Sequence, residues 1–222
     1  MHLSRLTLEH PPRSRDLRRD LASPYEMHRT LYRAFPAPGR MLFRLDTSRR
    51  PVPPVVLVQS ESAPDWSFLK DMTGYIGNMD AKPYDPVFSP GQVLRFRLRA
   101  NPTKKTGTTS KADRLAGALK SNGKRLALFR EEDQRAWIGA KAGAGGFSLD
   151  PDSLWLVQED SAQAMVKGWK EVNGNRRGLS LYSVLFEGFL SVTEPELFRL
   201  TLEAGVGPGK GLGFGLLSVA PA

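Results

Sequence analysis

The sequence predicts an α+β protein made of two tandem ferredoxin-like domains. Short segments alternate apolar and polar residues with the strand period of two, and helical segments of mixed polarity separate them. The order strand–helix–strand–strand–helix–strand then runs through the 222 residues twice. The boundary is expected at the polar, basic stretch TKKTGTTSK, residues 103–111, giving domains 1–105 and 106–222.

Residues 2–9 alternate, with Leu3, Leu6 and Leu8 apolar, until Pro11 and Pro12 break the strand. A helical stretch over 13–35 follows. It is interrupted at Pro24, because the residue before a proline avoids the helical region. Residues 41–46 and 55–59 read as strands, joined through Arg49, Arg50 and a cluster of prolines, and 65–72 holds a short helix. Residues 93–100 form a strand with Arg95, Arg97 and Arg99 on one face and Leu94, Phe96 and Leu98 on the other. In the second half, 126–129 is a strand, and 131–142 is a helix ended by the glycines of GAGGF. Residues 154–158 and 164–172 are strands, and 179–193 holds two more with a turn near Glu187 and Gly188. A helix over 194–203 is capped by Thr193 and carries Pro195 in its first turn.

The chain then reaches GVGPGKGLGFGLL, residues 205–217, with glycine at every odd position from 205 to 215. Walker A needs glycine five before the Gly-Lys pair and Ser or Thr after it; here Ala204 and Gly211 stand there. Glycines confined to odd positions cannot satisfy G-x-G-x-x-G either. Two readings stay open. One is a strand with a bare face, packed against another backbone. The other is a loop running into a strand, with the amides around Gly207 and Gly209 open to a polyanion and Lys210 beside them.

A formal charge of +9 favours a polyanionic partner, nucleic acid first. Eleven basic residues lie from Arg95 to Arg130 against one acid, Asp113. The absence of cysteine excludes disulfides, thiolate metal sites and cysteine nucleophiles. With no long apolar run and no N-terminal h-region, a cytoplasmic protein without a membrane partner is expected. The common RRM signature is absent.

Catalytic chemistry has few places to sit. The histidines are His2, His10 and His28; no two have metal-ligand spacing and the acids are scattered, so neither a metal nor a cofactor is expected. His28 lies in PYEMHRTL, residues 24–31, behind Ser23 as a cap and Pro24 in the first turn. Tyr25 and His28, three apart, share a helix face near an N-terminus that attracts phosphate, with Arg29 and Arg33 on a neighbouring face. A histidine there can give or take a proton, and a tyrosine hydroxyl can assist it; a packed or surface pair is the alternative. Residues 168–184 read as a hairpin, with Asn173 and Gly174 as its turn and Arg176 and Arg177 just past it.

PYEMHRTL, VVLVQS and PDWS within 55–67, LRFRLRANPTKK (94–105), VLFEG (184–188) and GVGPGKGLGFGLLSV (205–219) together resemble the CasE family. These are the CRISPR repeat-RNA endoribonucleases of the type I-E system, within the RAMP superfamily. The resemblance runs along nearly the whole chain in the same order and is weakest from 106 to 164. It implies metal-independent cleavage of a repeat stem-loop by the ribose 2′-hydroxyl, with the product RNA retained for a surveillance complex of other subunits. The family's histidine and tyrosine match His28 and Tyr25, and Arg33 stands where the family places a basic residue near the scissile phosphate. The family's basic hairpin implies stem contacts for Lys170, Arg176 and Arg177. Arg29, Lys104, Lys105 and Lys210, with Gly207 and Gly209, would then meet phosphates. A non-catalytic RNA-binding subunit of the same superfamily, or a basic ribosome- or tRNA-associated protein, are the alternatives.

Overall fold

The computed structural model describes residues 1–37, 39–47, 52–105, 125–157, 165–172 and 175–222, with backbone alone for 165–172 and 175–180. Strand β1 (His2–Leu8) turns Ser4, Leu6 and Leu8 into the core, as its alternation requires. Helix α1 (Arg15–Ala22) begins at Ser14, whose hydroxyl accepts from the Leu17 amide. Helix α2 (Pro24–Tyr32) begins at Ser23, which accepts from the Glu26 amide, with Pro24 in the first helical position. Strands β2 (Met41–Asp46) and β3 (Val55–Ser60), the single turn α3 (Phe68–Asp71) and β4 (Ile76–Pro83) complete the first unit. Its antiparallel sheet has the order β2–β3–β1–β4, the ferredoxin-like arrangement. The helices α1 and α2 cover one face through Leu17, Met27 and Leu31.

Strand β5 (Val93–Ala100) opens the second unit. Strands β6 (Thr103–Lys105) and β7 (Arg125–Ala127) form a separate ribbon. Next come α4 (Glu131–Gly143), β8 (Phe147–Leu149), β9 (Trp155–Val157), the hairpin β10 (Met165–Val172) and β11 (Asn175–Tyr182), β12 (Val184–Val192), α5 (Pro195–Ala204) and β13 (Leu217–Pro221). The sheet order is β13–β5–β12–β8, with β9 also on β12, so the ferredoxin-like order appears twice.

Sheet membership corrects the boundary expected after residue 105. β5 pairs with β12 and β13, so the second sheet starts at Val93. The fourth strand of the first unit is β4, which the sequence reading missed. Its residues IGNMDAKP lack alternation because it is an edge strand exposed along most of its length. Among the described residues, 125–127 pair only with β6 and do not open the second sheet. No turn falls at Glu187 and Gly188: β12 runs straight through them, and the break comes at Ser183. Gly188 is needed there because a Cβ would stand 2.5 Å from the Ser153 carbonyl oxygen. The N-cap of α5 is Glu194 rather than Thr193, and its side chain makes no capping bond.

The two units are joined through polar contacts. The buried Arg44 guanidinium on β2 holds Asp46 with two hydrogen bonds, at 2.8 and 3.0 Å. It also donates to Ser218 Oγ at 2.8 Å and to the Arg97 carbonyl at 3.1 Å, both in the second sheet. Gln59 on β3 donates to the Leu202 carbonyl at 2.7 Å. Arg97 bonds Glu187, and Arg99 bonds Ser183 Oγ at 3.1 Å. Two arginines of the β5 stripe therefore meet partners inside the protein.

Candidate active site

Helix α2 is held in place by contacts with α1. Asp20, buried at the end of α1, accepts from the Tyr75 hydroxyl at 2.7 Å and from Arg19 Nε at 2.8 Å. Arg19 reaches on to Thr30 Oγ1 at 3.4 Å, tying α1 to α2. Burial and the adjacent Asp20 carboxylate push the Tyr75 hydroxyl far above its ordinary pKa, so it stays a donor.

His28 sits on the inner side of this helix. Its imidazole stacks on Tyr32 one turn later, with centroids 5.6 Å apart and planes 22° apart. Phe43 of β2 tilts against it at 6.2 Å. A Cβ at Gly211 would stand 3.8 Å from both Cδ2 and Nε2 of the imidazole, so the glycine segment runs past that ring edge. Burial lowers the His28 pKa below the ordinary value of 6.5. At neutral pH the ring is therefore neutral and can accept a proton.

The glycine segment is a loop, not an extended strand. Gly205, Gly207, Gly209, Gly213 and Gly215 all have positive φ, and residues Lys210–Leu212 make one 3-10 turn between Gly209 and Gly213. Alternation of glycine here marks alternate left-handed residues, which side-chain-bearing residues adopt poorly. The missing side chains also leave room for neighbours from both units. A Cβ would stand 2.8 Å from Leu42 at Gly205, 3.0 Å from Trp137 at Gly207, 2.9 Å from Leu181 at Gly209 and 3.3 Å from Phe43 at Gly213. The loop thus fills the seam between β2, α2, α4 and the base of the β10–β11 hairpin. Lys210 donates Nζ to the Ala204 carbonyl at 2.6 Å, capping the end of α5. Burial, then repulsion from Arg40 and Lys141, lowers its pKa.

The remaining expected site residues are spread over the surface. Tyr25 is half-buried on α2 and makes no ring contact or hydrogen bond with His28 among the described residues. Arg29 is paired with Glu26 at 3.1 Å. Arg33 lies with its guanidinium 4.4 Å above the Phe68 ring. Arg29 and Arg33 share a shallow pocket with Arg19, Glu26 and Thr30, apart from the His28 ring. Lys104 and Lys105 are exposed on β6. Lys170 faces Arg177, and Glu171 faces Arg176, in the backbone register of the hairpin; the expected turn at Asn173 and Gly174 lies outside the described residues. Among the described residues no cluster of three or more His, Asp or Glu side chains could hold a metal ion. No helix there is long and apolar enough to cross a membrane.

The structure adds Tyr32, Phe43 and Gly211 to the surroundings of His28. Tyr32 was readable in principle, since an aromatic residue four positions on lies on the same helix face. Phe43 and Gly211 come from distant segments, and nothing local in the sequence points to their meeting His28.

The profile of a family described as "CRISPR associated protein" matches residues 1–221. The chain is 43% identical, over the full length of both, to the CRISPR-associated endoribonuclease Cse3 of Thermus thermophilus. It is 27% identical, again over both full lengths, to the CRISPR system Cascade subunit CasE of Escherichia coli K12. A solved structure of the CRISPR endoribonuclease Cse3 bound to a 19-nucleotide RNA superposes with a TM-score of 0.82, at 42% identity and full coverage of both chains. Agreement of this extent, in sequence and in a doubled ferredoxin-like fold, means that the chain belongs to the CRISPR-associated Cse3/CasE family.

Proposed function

We infer that this protein is an endoribonuclease that cuts CRISPR precursor RNA within its repeats, using the ribose 2′-hydroxyl as nucleophile, and that it keeps the product as a subunit of a surveillance complex. The observation that carries the catalytic part is the half-buried His28 beside the glycine turn, in a chain 43% identical to an endoribonuclease. In the reaction the 2′-oxygen attacks the adjacent phosphorus and its proton passes to His28. The bond from phosphorus to the 5′-oxygen breaks as that oxygen gains a proton. The products are a 2′,3′-cyclic phosphate and a 5′-hydroxyl.

Tyr25 is assigned the supporting role, orienting the 2′-hydroxyl or sharing the proton transfer. Arg33 would stabilise charge on the phosphorane only after leaving the Phe68 ring. The RNA stem is assigned to the β10–β11 hairpin, through Lys170, Arg176 and Arg177. That hairpin adjoins the glycine loop through Leu181, which supports a continuous path from stem to His28. Exposed Lys104 and Lys105 are free to meet phosphates and add a salt-dependent share of affinity.

The test is cleavage of end-labelled repeat RNA from the host's own array in excess EDTA. One discrete cut, lost when the scissile ribose is 2′-deoxy, supports the reading. Tight binding of the unmodified RNA without any cut would instead favour a non-catalytic RNA-binding subunit.

A further inference from the structure

Among the described residues the His28 imidazole is held by rings rather than by hydrogen bonds. Neither ring nitrogen has a hydrogen-bond partner among the described residues. In most proton-transferring histidines a carbonyl or carboxylate on one nitrogen fixes the ring plane and selects the working nitrogen. Among the described residues His28 has no such partner, yet the ring does not stand alone. Tyr32 stacks on it, Phe35 tilts on Tyr32 at 6.3 Å, and Trp66 meets Phe35 edge-on at 5.9 Å. Trp66 ends the series by donating Nε1–H to Ser4 Oγ at 3.0 Å, and Ser4 is buried in the middle of β1. The imidazole is thereby connected to an interior strand of the first sheet. Phe43 limits its tilt from β2. Its Cδ2–Nε2 edge is turned to Gly211, where a Cβ would stand 3.8 Å from both atoms and the glycine carries no side chain over them.

Building on the assignment of His28 to catalysis, we propose that Tyr32 is a positioning residue: its stacked ring fixes the imidazole plane so that Nε2, at the glycine-turn edge, exchanges the proton with the RNA. Tyr32 itself touches no reacting atom. Its ring, not its hydroxyl, does the positioning, since the contact is a stack and the hydroxyl has no hydrogen-bond partner among the described residues.

The experiment compares wild type, Tyr32→Phe, Tyr32→Leu and His28→Ala in single-turnover cleavage of repeat RNA across pH, with RNA affinity measured beside it. Tyr32→Phe keeps the stack and should cleave within about threefold of wild type. Tyr32→Leu should lose roughly 10- to 100-fold in rate, the scale expected when a catalytic group is misplaced, with little change in affinity. Its rate profile should also move to higher pH, because opening the stack lets water reach the imidazole and returns it toward ordinary behaviour. A second measurement needs no variant fold: ring ¹⁵N shifts of His28 in wild type, with and without 2′-deoxy RNA. The proposal expects the larger change at Nε2.

Wild-type rate and pH profile in Tyr32→Leu, with His28→Ala inactive, would overturn the positioning role alone. A larger shift change at Nδ1 would overturn the choice of nitrogen. Wild-type cleavage by His28→Ala would instead remove the catalytic assignment on which the inference rests.

Discussion

Arg44→Ala tests the seam that holds the two units together. The guanidinium makes two charge-assisted bonds to Asp46, at 2.8 and 3.0 Å, and bonds to Ser218 and the Arg97 carbonyl at 2.8 and 3.1 Å. Removing one partner of a buried ion pair costs about 3–5 kcal/mol, most of it from the groups left unpaired. Asp46 lowers that figure, because its side chain is 29% exposed and keeps Arg97 at 3.8 Å. The carbonyl and hydroxyl left behind each add about 1 kcal/mol of lost bonding. A net loss of about 3 kcal/mol is expected, which for a chain of this size corresponds to a melting temperature lower by roughly 6–12 °C. Thermal and urea denaturation followed by far-UV circular dichroism would measure it. Arg44→Lys, with one donor group in place of the fork, should fall between the two. A shift below about 2 °C for Arg44→Ala would refute the view that this residue welds the sheets.

Three further outcomes follow from the geometry. Gly205→Ala should lose at least about 2 kcal/mol of stability, since its φ is +72° and a Cβ would stand 2.9 Å from the Gly215 carbonyl oxygen. Gly211→Ala, with ordinary 3.8 Å contacts and no positive φ, should stay within about 1 kcal/mol of wild type; paired urea titrations compare the two. The combined Lys104→Ala and Lys105→Ala change should lower the slope of log affinity against log salt by about 1.5, read from RNA binding at several salt concentrations. Cleavage by wild type should hold as pH falls to about 6.5 and decline below it. The neutral imidazole is the proton acceptor, and burial places its titration under the ordinary value, so a pH–rate series reads this directly.

Much of the fold was legible because strands β1 and β5 each have one buried face, which their alternation shows, while β2 and β3 read as short, mostly apolar runs buried or half-buried on both faces. β4 was not, because an edge strand with polar residues on both faces carries no such pattern. The mistaken boundary has the same origin: with β4 unseen, β5 took its place as the fourth strand. The glycine block left a strand and a loop both open, and the backbone takes the loop. Period two matched a strand, but the backbone uses it for left-handed residues at a seam where Leu42, Trp137, Leu181 and Phe43 crowd in. On α2, the cap at Ser23 and the place of His28 followed from local spacing. The ring that meets His28 is Tyr32, one turn on along the same helix, rather than Tyr25.

The most direct test of the catalytic account is the single-turnover rate of His28→Ala on repeat RNA, measured at saturating protein with affinity determined on the same preparation. The account predicts a rate lower by about 10²- to 10⁴-fold, the share typical of a proton-transferring side chain, with RNA binding preserved. Cleavage at the wild-type rate would contradict it and leave His28 as a packed helix residue.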